Sequence, residues 1–202
     1  MNRENYAVVM HLSPFILASS SPRRLALLGD IGITPDKIIA ADIDETPRPR
    51  ELPRALAQRL AREKLRVVAA HNSDALILAA DTVVACGRRI LPKAETAADV
   101  RDCLKLLSGR RHHVYTGVAI RAPSGKIIER IGDSTVIFRS LTPQDIESYV
   151  AGGEGIGKAG GYAIQGHAGA LIRFISGSYA NIVGLPLFEV AQMLRSCGFV
   201  QR

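Results

Sequence analysis

Apolar residues in this chain come in short blocks, and the spacing within the blocks alternates between two kinds. Phe15-Ile16-Leu17-Ala18 is a continuous apolar run that stops at Ser19-Ser20-Ser21-Pro22. This reads as a buried strand, a turn, and a helix opened by Pro22 with Ser21 as N-cap. The helix continues through Leu25, Leu27 and Leu28 and ends near Gly29 or Gly32. Ile38 to Ala41 predicts a second short strand, followed by an acidic loop, Asp42-Ile43-Asp44-Glu45, and a Pro and Arg cluster over 47–54. Leu56, Leu60 and Val67 mark the apolar side of a long helix, with Arg59, Arg62 and Arg66 at polar positions.

Ala75 to Ala80 is almost wholly apolar and is followed by Asp81-Thr82 and Val83-Val84-Ala85. The pattern is a central buried strand interrupted by one carboxylate, which places Asp81 near the strand's end. Thr96 with Asp99 resembles a capping box, and Val100, Cys103, Leu104 and Leu107 follow at helical spacing up to Gly109. His113 to Arg121 and Lys126 to Phe138 flank Pro123-Ser124-Gly125 and predict a hairpin. Thr142-Pro143 opens a short helix closed by Gly152, Ala170 to Ile175 predicts a strand, and Pro186 to Ser196 a last helix. Gly152 to Gly169 is glycine-rich, but Lys158, Tyr162 and Gln165 punctuate it, so it reads as a shaped loop and not a linker. Interleaved strands and helices with one hairpin make an α/β protein with a mixed sheet. The expected organisation is a loose extension over 1–13 and a single domain over 14–202.

Composition narrows the class. With 202 residues, 47% hydrophobic and 22% charged, the chain can bury a sizeable core without disulfides or metals. That excludes a disordered tail, a collagen-like repeat and a disulfide miniprotein. Cys86, Cys103 and Cys197 form no C-x-x-C pair and fit a reducing compartment. Tyr6 to Leu12 is too short and polar for a signal peptide, and no run reaches the length of a membrane span. The expectation is a soluble cytoplasmic protein with no membrane partner. A net charge of +7 favours anionic partners. One class this admits is a basic nucleic-acid-binding protein. Aromatic content of 5%, with no Trp, and the lack of a helix-turn-helix or RNA-binding signature argue against a stable nucleic-acid complex.

Some residues stand out against this background. Arg23 and Arg24 occupy the first turn of a helix, the end where the dipole disfavours cations. An anion joining them there would explain the placement, because free N–H groups and two guanidinium forks can hold a phosphate. The dipole argument also expects folding to be indifferent to the loss of either arginine. Asp81 follows six apolar residues, and a buried carboxylate needs a cation, a metal or several donors. At the carboxyl edge of a sheet it suits a general base or metal ligand. Asp42, Asp44 and Glu45 offer further carboxylates for Mg²⁺. Lys64 and Lys93 read individually as surface lysines within reach of a phosphate. His112-His113 lacks metal-ligand spacing and reads as a pair at a sheet edge. No P-loop, G-x-S-x-G or H-E-x-x-H motif occurs.

Six stretches, in order, resemble the Maf family of nucleoside triphosphate pyrophosphatases. They are Leu17-Ala18-Ser19-Ser20-Ser21-Pro22-Arg23-Arg24, Asp44-Glu45-Thr46, Ala61-Arg62-Glu63-Lys64, Ala80-Asp81-Thr82-Val83-Val84, Lys158 through Gly166, and Gly177 through Pro186. The resemblance covers roughly 14–199. The resemblance implies an elongated α/β fold, inosine triphosphatase-like, with a mixed, curved sheet, flanking helices and two lobes around a cleft. It also implies hydrolysis of nucleoside triphosphates to monophosphate and pyrophosphate with a divalent metal, Mg²⁺ or Mn²⁺. By motif position Asp81 is the proton acceptor and, with Glu45, a metal ligand. Ser19, Arg23, Arg24, Lys64 and Lys93 are implied to contact substrate, and Arg24, Thr82 and Gln165 to govern substrate choice. The Tyr162-Ala163-Ile164-Gln165-Gly166 run is similar to the branch acting on dTTP and UTP, and a Gln amide matches the O4 and N3–H edge of uracil or thymine. Broad specificity, or action on 7-methyl-GTP, is the alternative. The implied role is removal of non-standard or excess nucleotides, and the implied assembly is a homodimer. Two positions depart from the family pattern: Gly157 stands where many relatives have Asp, and Pro92 precedes Lys93 where Gly is more familiar.

Overall fold

The structure, a computed structural model, describes residues 13–199. Apart from Ser13, the extension read over 1–13 lies outside the described residues. The strands are β1 (Phe15–Ala18), β2 (Lys37–Ile38), β3 (Leu76–Cys86), β4 (Arg89–Leu91), β5 (Arg111–Arg121), β6 (Ile127–Phe138) and β7 (Ile172–Ser176). The helices are α1 (Pro22–Asp30), α2 (Pro53–Ala69), α3 (Ala97–Leu107), α4 (Pro143–Ala151), α5 (Tyr179–Val183) and α6 (Leu187–Ser196). The sheet is mixed and runs β2-β1-β3-β5-β6-β7, with β4 also pairing β3. β1 pairs in parallel with β2 and β3, and every other pairing is antiparallel.

Local chemistry accounts for most of these boundaries. Both predicted caps at Thr96 and Thr142 form complete capping boxes, with Asp99 and Asp145 reaching back. At α1, Ser21 has the extended N-cap backbone but its side chain makes no cap; its N–H instead donates to Ser19 Oγ at 3.2 Å. The second strand is shorter than expected and shifted, because the chain leaves β1 at Ile39. β4 and α5 did not register in the apolar pattern, being three and five residues long. Val67 is exposed, while Val68 is the residue that packs inward. β3 does not end at Asp81 but runs on to Cys86.

That continuity sets up the site. β1 follows β3 only as far as the Ala18–Ala79 pair, and β4 joins it only from Val84 onward. Over Ala80 to Val83, β3 keeps β5 on one side and has no strand on the other among the described residues. Side chains alternate along this stretch. Ile77, Ala79 and Val83 pack with α2 residues such as Ala61 and Leu60, and Asp81 shares their face. Leu78 and Ala80 pack toward α1 and α6, and Thr82 shares that face.

A further apolar cluster lies beyond the far end of β3. Val84, Leu104, Val114, Phe138 and Tyr162 are among its members, so α3, α4 and the glycine-rich loop form a second lobe. His112 packs against its Phe138 and Tyr162 rings and is completely buried. The histidine pair is therefore not at a sheet edge: β5 is an interior strand. His112 Nε2 lies 2.8 Å from the Tyr162 hydroxyl, and its Nδ1 is buried without a partner. Burial, and to a lesser degree His113, lowers its pKa from 6.5 to about 4. The folded state thus resists protonation that the unfolded chain accepts, so stability should fall as pH drops from about 6.5 to about 4, by up to about 3 kcal/mol. Urea melts across this range should show the slope in the wild type and lack it in His112→Gln. A wild-type curve that is flat over the window rejects the account.

Candidate active site

All nine residues that the motif resemblance implies for the site line one cleft of about 350 Å³: Ser19, Arg23, Arg24, Glu45, Lys64, Asp81, Thr82, Lys93 and Gln165. They arrive from six separate segments. The β1–α1 turn and the first turn of α1 deliver Ser19 and the two arginines, and the 42–54 loop delivers Glu45. α2 contributes Lys64, β3 contributes Asp81 and Thr82, and the chain after β4 and the glycine-rich loop supply Lys93 and Gln165.

On the α2 side of β3, Lys64 is buried and its Nζ lies 2.5 Å from Asp81 Oδ1 and 2.6 Å from Glu45 Oε1. It is not a surface lysine, since the helix turns it under the sheet. The two carboxylates supply the counter-charge that makes its burial tolerable. Lys93 Nζ holds the other Glu45 oxygen at 2.7 Å. Burial acts to raise the Glu45 pKa, but the hydrogen bonds and charges of Lys64 and Lys93 outweigh it and bring it to about 2. Of the three acids in the loop, only Glu45 reaches the cleft. Asp44 instead accepts from the Thr46 N–H at 2.9 Å. The loop is anchored by Arg59, which donates to the Thr46 carbonyl and to both oxygens of Glu51. Arg59 of α2 thus fixes the loop that carries Glu45.

On the other face, Arg24 is buried and bound only by neutral acceptors. Its Nε donates to the Gly184 carbonyl (2.9 Å), and its two terminal nitrogens donate to Ser19 Oγ (2.9 Å) and Thr82 Oγ1 (3.2 Å). Thr82 Oγ1 is 3.0 Å from Thr116 Oγ1, which donates to the Asn181 carbonyl. Burial pushes the Arg24 pKa below the ordinary arginine value, with Arg23 adding to the depression and Asp81 and Glu45 opposing it. Arg24 therefore ties β1, β3 and the 177–186 segment together. The expectation that folding is indifferent to its loss does not hold for this arginine, because three acceptors would lose their donor. Arg23 differs: it is half-buried, faces the cleft, and has no hydrogen bond or ion pair with any described residue.

The glycine-rich loop is shaped by residues that only glycine can replace. Gly160 and Gly161 have φ of +71° and +68°, and a Cβ on Gly160 would come within 2.8 Å of Val84 Cγ1. The loop is stapled to the chain around Lys93 by Gly157 N–H to the Ala94 carbonyl (2.7 Å) and Ala94 N–H to the Lys158 carbonyl (3.0 Å). Gln165 projects at the cleft with no hydrogen bond to a described residue. Sequence reasoning gave Lys158 no site role and passed over Thr116 and Asn181. Lys158, a cation inside a glycine-rich loop, carried a usable signal; Thr116 and Asn181, neutral residues in ordinary contexts, carried none.

The five cations lining the cleft outnumber its two carboxylates, leaving an excess of three positive charges. A polyphosphate would meet that excess with little desolvated charge left over. No group of three or more His, Cys, Asp or Glu side chains suited to a metal occurs among the described residues. Glu45 and Asp81, two hard oxygen donors sharing one ammonium, are the residues that would hold a Mg²⁺-type ion, which suits sites that supply only one or two carboxylates. They do not fit a closed protein cage. No helix among the described residues is long and apolar enough to cross a membrane.

The dTTP/UTP pyrophosphatase of Gluconobacter oxydans is 60% identical to this chain over 185 residues, covering 89% of the chain and 85% of that protein. That of Granulibacter bethesdensis is 58% identical over 201 residues, covering 92% and 94%. That of Caulobacter vibrioides is 56% identical over 184 residues, covering 91% and 95%. Among solved structures, the Staphylococcus aureus Ham1 protein is similar with a TM-score of 0.45 and 16% identity, covering 61% of this chain and 71% of that one. The model of the Maf-like protein family matches residues 14–197, from the first residues of β1 through α6, and on that match the chain belongs to this family.

Proposed function

We propose that this protein hydrolyses the α–β anhydride of nucleoside triphosphates, dTTP and UTP foremost, to nucleoside monophosphate and pyrophosphate. The observation that carries the reading is the convergence of five cations and the Asp81–Lys64–Glu45 cluster on one cleft. Relatives that are 56–60% identical and named dTTP/UTP pyrophosphatase supply the substrate.

In this reading Arg23, Arg24, Lys64 and Lys93 neutralise the triphosphate and hold it in line for attack. Asp81 Oδ2 takes no hydrogen bond from a described residue and is free to accept a proton from a water. Lys64, fixed on Oδ1, holds the carboxylate in place. As the water oxygen bonds to phosphorus, its proton passes to Asp81, and the anhydride oxygen leaves with the electron pair of the broken P–O bond. A divalent cation held by Glu45 and Asp81 would supply charge stabilisation on the phosphoryl oxygens. Gln165 reads the base edge through its amide.

Release of monophosphate and pyrophosphate should be measured across dTTP, UTP, CTP, GTP and 7-methyl-GTP, with dTTP and UTP expected to lead. Absence of turnover on all five, with salt-sensitive DNA binding in its place, overturns the reading. In Gln165→Leu, kcat/KM on dTTP and UTP should fall about tenfold toward the values for CTP and GTP, as one lost base contact implies. Equal proportional losses on every nucleotide would make Gln165 a brace of its own loop.

A further inference from the structure

We propose that Lys158 is a substrate-contacting residue that joins Arg23 in gripping one phosphate of the nucleotide. The inference takes the identity of the ligand from the pyrophosphatase reading; the geometry itself calls only for a phosphate-like anion.

Lys158 and Arg23 both line this part of the cleft. Burial depresses the pKa of both groups, and the charge of Arg23 adds to the depression of Lys158. Like charges brought together and partly desolvated are unfavourable unless something neutralises them. No described carboxylate pairs with either: Glu45 is occupied by Lys64 and Lys93, and Asp81 by Lys64. Glu154 acts on Lys158 from a distance, but its oxygens are committed to His167, at 2.8 Å from the backbone N–H and 3.1 Å from Nδ1. Lys158 Nζ rests on the Ile156 carbonyl at 3.1 Å, an acceptor that leaves its charge uncompensated. A phosphate oxygen is a better partner, and moving to it costs one neutral hydrogen bond.

The backbone is prepared for this. The Lys158 carbonyl accepts from the Ala94 N–H at 3.0 Å and the Gly161 N–H at 3.0 Å, and its own N–H donates to the Gly155 carbonyl. Only the side chain has freedom to move. Lys158 and Gln165 also share the one stapled loop, so the same element meets the phosphate and the base. That gives the loop a means of joining phosphate binding to nucleotide choice.

The test uses Lys158→Met and Lys158→Arg in the full-length protein, with inorganic pyrophosphate as the probe. In Lys158→Met, the Kd for pyrophosphate by calorimetry and the KM for UTP should each rise about tenfold, and kcat should change far less. Lys158→Arg should recover most of the affinity. Lys158→Met combined with Arg23→Ala should lose less than the product of the two single effects, because both grip one phosphate. The unliganded melting temperature of Lys158→Met should not fall. Unchanged pyrophosphate affinity in Lys158→Met overturns the proposal, and a lowered melting temperature with normal affinity makes Lys158 a loop brace. If the wild type turns over no triphosphate but Lys158→Met still loses pyrophosphate, the anion contact stands and the pyrophosphatase reading falls.

Discussion

Asp81→Asn is expected to bind nucleotide normally and to lose turnover by about 10²-fold or more, the range that a general base contributes. Asparagine keeps the shape of the side chain, and its carbonyl oxygen can still accept from Lys64. What it cannot do is take a proton from water. The loss should therefore fall on kcat, with the Kd for UTP by calorimetry close to the wild-type value. Folding should be little affected, because Lys64 retains its 2.6 Å bond to Glu45. Near-normal kcat in this variant removes Asp81 from the chemistry. Parallel losses of binding and turnover would instead point to a role in positioning the substrate.

The second large effect is on stability. Lys64→Met should destabilise the unliganded protein by about 3 kcal/mol, the cost of leaving a buried charge uncompensated. For a chain of this size that lowers Tm by roughly 10 °C. The reason is geometric: the Lys64 and Asp81 side chains are only 10% and 9% exposed, so water cannot replace the lost ammonium. Glu45 is partly covered by Lys93 and suffers less. The variant leaves two carboxylates facing one cavity with the cation between them gone. Millimolar Mg²⁺ should then recover part of the lost stability, and recover more of it than it adds to the wild type. Thermal melts of both proteins with and without Mg²⁺ check both halves. A variant as stable as the wild type without metal refutes the structural half, and a melt indifferent to Mg²⁺ refutes the metal half.

The elements governed by local chemistry were legible without coordinates. The capping box at Thr96, the helix starts at Pro22 and Thr142-Pro143 and the hairpin around Gly125 each follow from a few neighbouring residues. So did the anomaly of a carboxylate after six apolar residues at Asp81, and the pairing of Arg23 with Arg24. The motif resemblance brought together nine residues that one cleft does contain. β4 and α5 escaped, because three and five residues are too few for a period to be recognised and neither is a continuous apolar run.

Partnership lay beyond the sequence. Lys64 reads as an ordinary helical lysine; only the packing of α2 on β3 sets it between Glu45 and Asp81, nineteen and seventeen residues away in the chain. Arg23 and Arg24 look alike as neighbours. The helix turns one into the open cleft and buries the other against Gly184, 160 residues further on. His112, set down as an edge residue, is interior because β5 takes its place between β3 and β6. The sequence by itself determined which segments form strands and helices, since backbone preference and apolar spacing act over a few residues. Which charges meet, which are buried and which remain without a counter-ion was decided by the tertiary structure, because Coulomb and desolvation energies depend on distance in space and on the exclusion of water.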